Sequence, residues 1–386
     1  DDQTASDMLK SSFSHCFSTD KLDPKKVEAN IVAQNFGDEK RLGTDQDFVP
    51  SHAARIKHYL QIENSRTIAY DIITSKKNSE ILQTALAPGK NNLIIERSRD
   101  YISLENLYFE AEKMIEKSGI SRESLENIIV FHDSNFTPAL SEKVSEEVGM
   151  KNDILNYDII FGCPGWLQGM IQADTLMNLG FLRNATVSGV EKLKSVSDLW
   201  DRDSMLYSDA AGTTLKEALL TSAPFGTISS SSRSDTLKEA YYLRMEQAFN
   251  REFRKDNPRL FLHMDGKTLY KYALKNVPEV VKESIDKAGL DLKDIKKILI
   301  HQANERLDED VVKRVFELYR ITPTQEMIKE VMPMIISWLG NCSVGTIPLL
   351  FDMLIRGELN NNALLRGDNI NFSSVGAGMN RNSVVY

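Results

Sequence analysis

Short apolar runs recur along this chain with room for a helix between them, and that recurrence restricts the fold more than any other feature. Asn127 to Phe131, Tyr157 to Phe161 and Ala185 to Gly189 are strand-like, and after residue 262 the pattern returns in Ile295 to His301 and Asn369 to Ser373. The stretches between them carry helical apolar spacing, as at Leu167, Met170, Ile171 and Met177. Strands that alternate with helices imply α/β layers. The recurrence implies two similar halves. With 386 residues, 41% of them hydrophobic and 26% charged, the chain is globular and long enough for two ordinary domains or one large duplicated one.

Composition excludes several other classes. No apolar run approaches the length of a membrane span, and no basic start followed by an apolar stretch marks a signal peptide, so a cytoplasmic location is expected. Three widely spread cysteines argue against a disulfide framework. No Cys/His cluster has zinc spacing, and no metal is expected. A net charge of −8 gives no global attraction to nucleic acid, which is not expected as a partner.

Three segments could bring a thiol, an imidazole and a carboxamide to one pocket. Cys163 stands in Phe161-Gly162-Cys163-Pro164-Gly165-Trp166, between the apolar run ending at Phe161 and the helical spacing from Trp166 to Leu179. Pro164 suits a first helical turn, and Gly165 lets neighbouring backbone come close. Free N–H groups at that helix start would favour the thiolate and lower the Cys163 pKa. Taken alone, the turn leaves a buried structural cysteine equally open. His301 ends the Ile295 to Ile300 run, at the carboxyl end of a strand where open α/β sheets place ligands, though a lone histidine there could equally be a surface or capping residue. Asn341 follows the apolar, strand-like run Met334 to Leu339 and the break at Gly340, a setting that also fits an ordinary helix start. The functional reading therefore rests on the trio together.

Cys163 in its Gly-Cys-Pro-Gly turn, His301-Gln302-Ala303-Asn304 and Gly340-Asn341-x-Ser343 resemble the Cys, His and Asn motifs of the β-ketoacyl-acyl carrier protein synthase III family, of the thiolase superfamily. Gly189-Val190-Glu191, Asp201-Arg202-Asp203-Ser204 and Ser208-Asp209-Ala210-Ala211-Gly212 follow the family's order, as do His263-Met264-Asp265-Gly266 and the turn Gly376-Ala377-Gly378. The resemblance runs from about Leu104 to Tyr386. The family's opening strand and Gly-x-Gly-x-Tyr-x-Pro turn are not found in residues 1–100, and Pro164, Ala210 and Ala377 stand where the family more often has other small residues.

The resemblance implies the duplicated five-layer αβαβα thiolase-like fold. It divides the chain into a divergent amino-terminal segment, 1–100, a half carrying the nucleophile, 101–215, a connecting loop and helix, 216–260, and a second half with His and Asn, 261–386. Within the connection, Pro224 to Asp235 is expected as a loop and Leu237 to Arg254 as a helix, with Tyr241, Tyr242, Met245 and Phe249 packing on it. The implied activity loads an acyl group onto Cys163 from an acyl-coenzyme A or acyl carrier protein thioester, followed by decarboxylative condensation with malonyl carrier protein, the partner protein. His301 and Asn341 would stabilise the enolate, while the N–H groups of Cys163 and of Gly376, Ala377 and Gly378 would hold the oxyanion. Arg202 would contact the coenzyme A nucleotide. Thr137 would shape the acyl tunnel from the partner subunit of a homodimer and leave room for a medium or branched primer. No permanently bound cofactor is implied. Two alternatives are an acyltransferase of a secondary-metabolite pathway that does not decarboxylate, and an inactive partner subunit.

Overall fold

The computed structural model describes residues 4–20, 23–35, 49–86, 91–97, 112–113, 115–117, 121–122, 127–133, 139–151, 153–218, 226–359 and 362–386. Two sheets organise them. The first draws on β1 (Ala29–Ala33), β2 (Ile68–Thr74), β3 (Asn92–Arg97), β4 (Asn127–Asp133), β5 (Leu155–Ile160), β6 (Asn184–Lys192) and β7 (Asp209–Glu217), in the order β3-β4-β2-β5-β1-β6-β7. The amino-terminal residues thus supply β1, which lies between β5 and β6 and runs parallel to both. The second sheet contains β8 (Ser229–Ser234), β11 (Ile295–Ile300), β12 (Asn369–Gly376) and β13 (Asn380–Val385), in the order β11-β12-β13-β8.

Helices form the other three layers of the thiolase-like fold. The helix Gly165–Asn178 touches β1, β5 and β6 on one side and β12 and β13 on the other, and Thr346–Ile355 touches β6 and β7 as well as β11. Between the sheets they complete a core that includes Ile31, Ile159, Trp166, Val187, Leu299, Phe372 and Val384. Ala5–Asp20 and Leu140–Glu147 cover the outer face of the first sheet through Leu9, Phe13, Val32, Val144 and Val190. Gly266–Lys287 and Glu305–Leu318 cover the second through Val277, Val281, Ile298, Ile300, Val312 and Val385. Neighbours such as Ile31 and Val32, or Ile298 and Leu299, thus enter opposite cores. Burial on both faces explains why these strands read as continuous apolar runs.

The connection 216–260 departs from its expected form. Ser229–Ser234, expected as loop, is a strand paired antiparallel with β13. Its serines are satisfied by specific partners: the Ser234 hydroxyl donates to Asn380 Oδ1 at 2.5 Å and that of Ser229 to the Ser284 carbonyl at 2.5 Å. Leu243–Gln247 (β9), expected as helix, pairs antiparallel with β10 (Leu260–Met264). Leu243 and Met245 face inward while Arg244 and Glu246, two residues apart on the outer face, form an ion pair at 2.7 Å. Only Arg251–Lys255 of that stretch is helical.

Candidate active site

Cys163 leaves β5 through a turn that glycine makes possible. Gly162 adopts φ 71°, and a Cβ there would stand 2.6 Å from the Ala377 nitrogen, so the turn after β12 packs directly on it. The Gly162 N–H donates to Asn35 Oδ1 at 3.1 Å, and Pro164 caps the helix Gly165–Asn178. The expectation of a lowered thiol pKa is overturned. Burial pushes Cys163 up to about 11, the Ser343 hydroxyl offsets part of this, and the negative charge of Glu191 adds to the rise. Desolvation of the thiolate outweighs the helix start. The thiol rests protonated at neutral pH.

His301 follows β11, its N–H donating to the Ser373 carbonyl at 2.8 Å on the neighbouring β12. It is 4% exposed, and its Nδ1 is buried without a hydrogen-bond partner among the described residues. Burial pushes the imidazole down to about 4, with only partial compensation from the Ser343 backbone. It is therefore neutral near pH 7, with a single ring N–H to give. Gln302 beside it accepts from Ile335 and Ile336 N–H at 2.8 and 2.9 Å and donates to the Pro333 carbonyl at 2.8 Å. Those bonds turn part of the apolar run Met334 to Leu339 into a single short helix, Ile336–Leu339, where a strand-like segment was expected.

Asn341 is held by the Asp-Arg segment. Its N–H donates to the Leu206 carbonyl at 2.7 Å, and its carbonyl accepts from Ser208 N–H at 2.8 Å, a parallel bridge beside Tyr207. Its Oδ1 accepts from the Ser343 N–H at 2.9 Å, which orients the carboxamide with Nδ2 as its donating end. Ser343 takes φ 49°, a region few non-glycine residues adopt, and touches both Cys163 and Asn341. Its hydroxyl lies 3.4 Å from Cys163 Sγ, and its N–H fixes Asn341.

Comparison with known proteins points to one family. The family model described as 3-oxoacyl-(acyl-carrier-protein) synthase III matches residues 157–235, and that for the C terminal of the same synthase matches 285–386. The chain is a synthase III-like protein of the thiolase superfamily. A β-ketoacyl-(acyl-carrier-protein) synthase III of Clostridium perfringens is 28% identical over 334 residues, which is 82% of this chain and 97% of the relative. Among solved structures, the 3-oxoacyl-(acyl-carrier-protein) synthase III of Aquifex aeolicus superimposes with a TM-score of 0.62 at 17% identity, covering 99% of this chain and 84% of that one. The priming β-ketosynthase of the R1128 polyketide pathway gives 0.61 at 17% identity, covering 100% and 81%.

This synthase III-like chain positions the other expected residues unequally. Gly376, Ala377 and Gly378 form the turn between β12 and β13, tied to the Cys163 turn by Asn380, whose Nδ2 donates to the Phe161 and Ala377 carbonyls at 3.3 and 2.8 Å. Arg202 is exposed in an open cleft of 550 Å³ with Trp200, Met205 and Phe249. Thr137 lies outside the described residues. Among the described residues, no group of three or more His, Cys, Asp or Glu side chains could hold a metal, and no helix is long and apolar enough to cross a membrane. Sequence reasoning gave no role to Ser343 or Glu191 and did not find Asn35. Their signal is spatial, because strands β1 and β6 and the turn after Asn341 meet only in the folded chain.

Proposed function

We propose that this protein is a β-ketoacyl-acyl carrier protein synthase III-type condensing enzyme in which Cys163, His301 and Asn341 do the chemistry. The observation that carries the assignment of roles is Ser343, which hydrogen-bonds the Cys163 thiol and fixes the Asn341 carboxamide beside the buried, neutral imidazole of His301. Cys163, once deprotonated, attacks the carbonyl of an acyl-coenzyme A or acyl carrier protein thioester. The N–H groups of Cys163 and of the 376–378 turn stabilise the tetrahedral oxyanion. The carrier thiol leaves, and the acyl group stays on Cys163.

Malonyl carrier protein then enters the site. The His301 N–H and Asn341 Nδ2 donate to the malonyl thioester carbonyl, so negative charge develops on that oxygen as carbon dioxide departs. An imidazole held near pKa about 4 stays neutral and remains a one-proton donor across the working pH range. The resulting enolate carbon bonds to the acyl carbonyl carbon, the bond to Cys163 breaks, and the β-ketoacyl carrier dissociates. Arg202 and its neighbours in the open cleft hold the nucleotide end of coenzyme A. No permanently bound cofactor is invoked, and the protein works in the cytoplasm as a homodimer.

The test separates the two half-reactions. His301→Ala and Asn341→Ala enzymes are expected to load an acyl group within a few-fold of the wild-type rate. Their malonyl-dependent discharge should fall about 100-fold to 1000-fold, the usual effect of deleting an oxyanion donor. Intact-mass spectrometry before and after a malonyl-carrier chase reads both steps. A wild type that loads but discharges only to a hydroxyl or amine acceptor would make it a non-decarboxylating acyltransferase instead.

A further inference from the structure

The condensing reading leaves unanswered where the Cys163 proton goes. At neutral pH the thiol is protonated, because burial pushes it up to about 11, and His301, pushed down to about 4, is a poor acceptor. One other titratable group belongs to the same cluster. Glu191, at the end of β6, is 1% exposed, and its Oε2 lies 3.2 Å from the Ser343 hydroxyl that reaches Cys163 Sγ at 3.4 Å.

Hydrogen counting gives this arrangement a direction. A serine hydroxyl has one proton, so it cannot donate to the sulfur and the carboxylate at once. If it donates to the stronger acceptor, the Glu191 carboxylate, its lone pair faces the thiol. The pattern is then S–H to O–H to carboxylate. Asn35 holds the far end, with Nδ2 donating to Oε2 at 2.5 Å and its backbone N–H to Oε1 at 3.4 Å, while its own Oδ1 accepts from Gly162 beside the cysteine. Among the described residues, no lysine or arginine forms a salt bridge with Glu191, and the charged group that acts on it is Asp209 of β7, a like charge. A buried carboxyl with no cation to stabilise it is costly to keep for structure alone.

We infer that Glu191 accepts the Cys163 proton through the Ser343 hydroxyl during acyl loading, which makes Ser343 a catalytic residue and Glu191 the positioning residue behind it. The S–H bond breaks as a new O–H bond forms on Ser343, and the serine's original proton passes to Glu191 Oε2. The freed sulfur pair attacks the thioester carbon. When the tetrahedral adduct collapses and the carbon–sulfur bond to coenzyme A breaks, the leaving thiolate takes a proton back from Glu191 by the same hydroxyl. Protons and charge balance over the half-reaction. Burial pushes Glu191 up to about 7, assisted by Asp209, so its acid and carboxylate forms are nearly equal in energy at neutral pH. Compared with an imidazole near 4, that is about a thousandfold greater proton affinity.

The inference rests on the condensing reading and can fail separately from it. Acyl loading of the full-length protein from octanoyl-coenzyme A is timed by quenched intact-mass spectrometry from pH 5.5 to 10, for wild type, Glu191→Gln and Ser343→Ala. In the wild type, the rate should rise through about pH 7, as the carboxyl ionises, and then level off. Both variants should lose that inflection, load about 100-fold more slowly at pH 8 and climb steadily toward the thiol's own ionisation. Once loaded, they should still discharge to malonyl carrier protein, because enolate formation draws on His301 and Asn341. If Glu191 acted only as a charge that repels the thiolate, Glu191→Gln would load faster than wild type, and that result overturns the relay. Should Glu191→Gln fail to fold by circular dichroism, Ser343→Ala decides alone, since it cuts the path with Glu191 in place. A wild type that loads with the expected pH profile but never discharges to malonyl carrier would sink the condensing reading and leave the relay standing.

Discussion

A Cys163→Ala enzyme incubated with octanoyl-coenzyme A keeps its own mass, while the wild type gains one acyl group. The other two thiols cannot substitute for the missing one. Cys16 is a buried residue of the helix Ala5–Asp20, and Cys342 is buried with its Sγ 3.5 Å from the Leu339 carbonyl, whereas Cys163 keeps part of its surface open. Removing a covalent nucleophile of this kind costs on the order of 10⁶ in rate. Intact mass after a timed incubation reads the result directly, and iodoacetamide should label Cys163 ahead of Cys16 and Cys342. An acyl group found on the alanine variant would exclude Cys163 as its acceptor.

The next largest effect is expected at a residue with no side chain. A Cβ on Gly376 would stand 2.4 Å from the Cys163 nitrogen, 2.8 Å from Pro164 Cδ and 3.0 Å from Cys163 Cβ. The first and last of these are main-chain or near-main-chain atoms of the nucleophile's turn, which cannot swing aside as a flexible side chain could. Gly376→Ala must therefore push the thiol and the 376–378 turn apart. A displacement near 1 Å at reacting groups costs about 100-fold in rate, and overpacking there should lower stability by about 1–3 kcal/mol. Loading kinetics and urea unfolding measure the two effects. Gly266→Ala, where the added methyl meets nothing within 4 Å, should change neither. Normal loading by Gly376→Ala would mean that the turn does not set the position of the thiol.

The parts of this fold that were legible are those where local pattern and tertiary burial agree. β5, β11 and β12 read as strands because both of their faces are buried. Ser229–Ser234 looked like a loop because its hydroxyls find their partners in distant elements, β13, β2 and the helix Gly266–Lys287. Leu243–Gln247 looked helical because its strand alternation is short and surrounded by charge. At the site, the trio could be named from motifs. The resting state of Cys163 could not, because the helix start is visible along the chain while the desolvation that outweighs it comes from elements brought in from elsewhere. Asn35, Glu191 and Ser343 stand on three separate segments, and no spacing rule connects them.

The position of β13 also has a consequence for how the protein comes into being. This strand lies between β12 and β8, and its first residue, Asn380, reaches back to the Phe161 carbonyl next to the nucleophile. A ribosome makes chains from the amino terminus, and early segments begin to fold as they emerge. The first sheet can gather while the remainder is still being translated, yet the second sheet has a gap at its centre until residues 380–385 are made. Through that interval Cys163 has no finished turn packed against it. Acyl-transfer competence is thus gained only once β13 has been made, and a nascent chain stalled before Asn380 would carry the thiol without the chemistry.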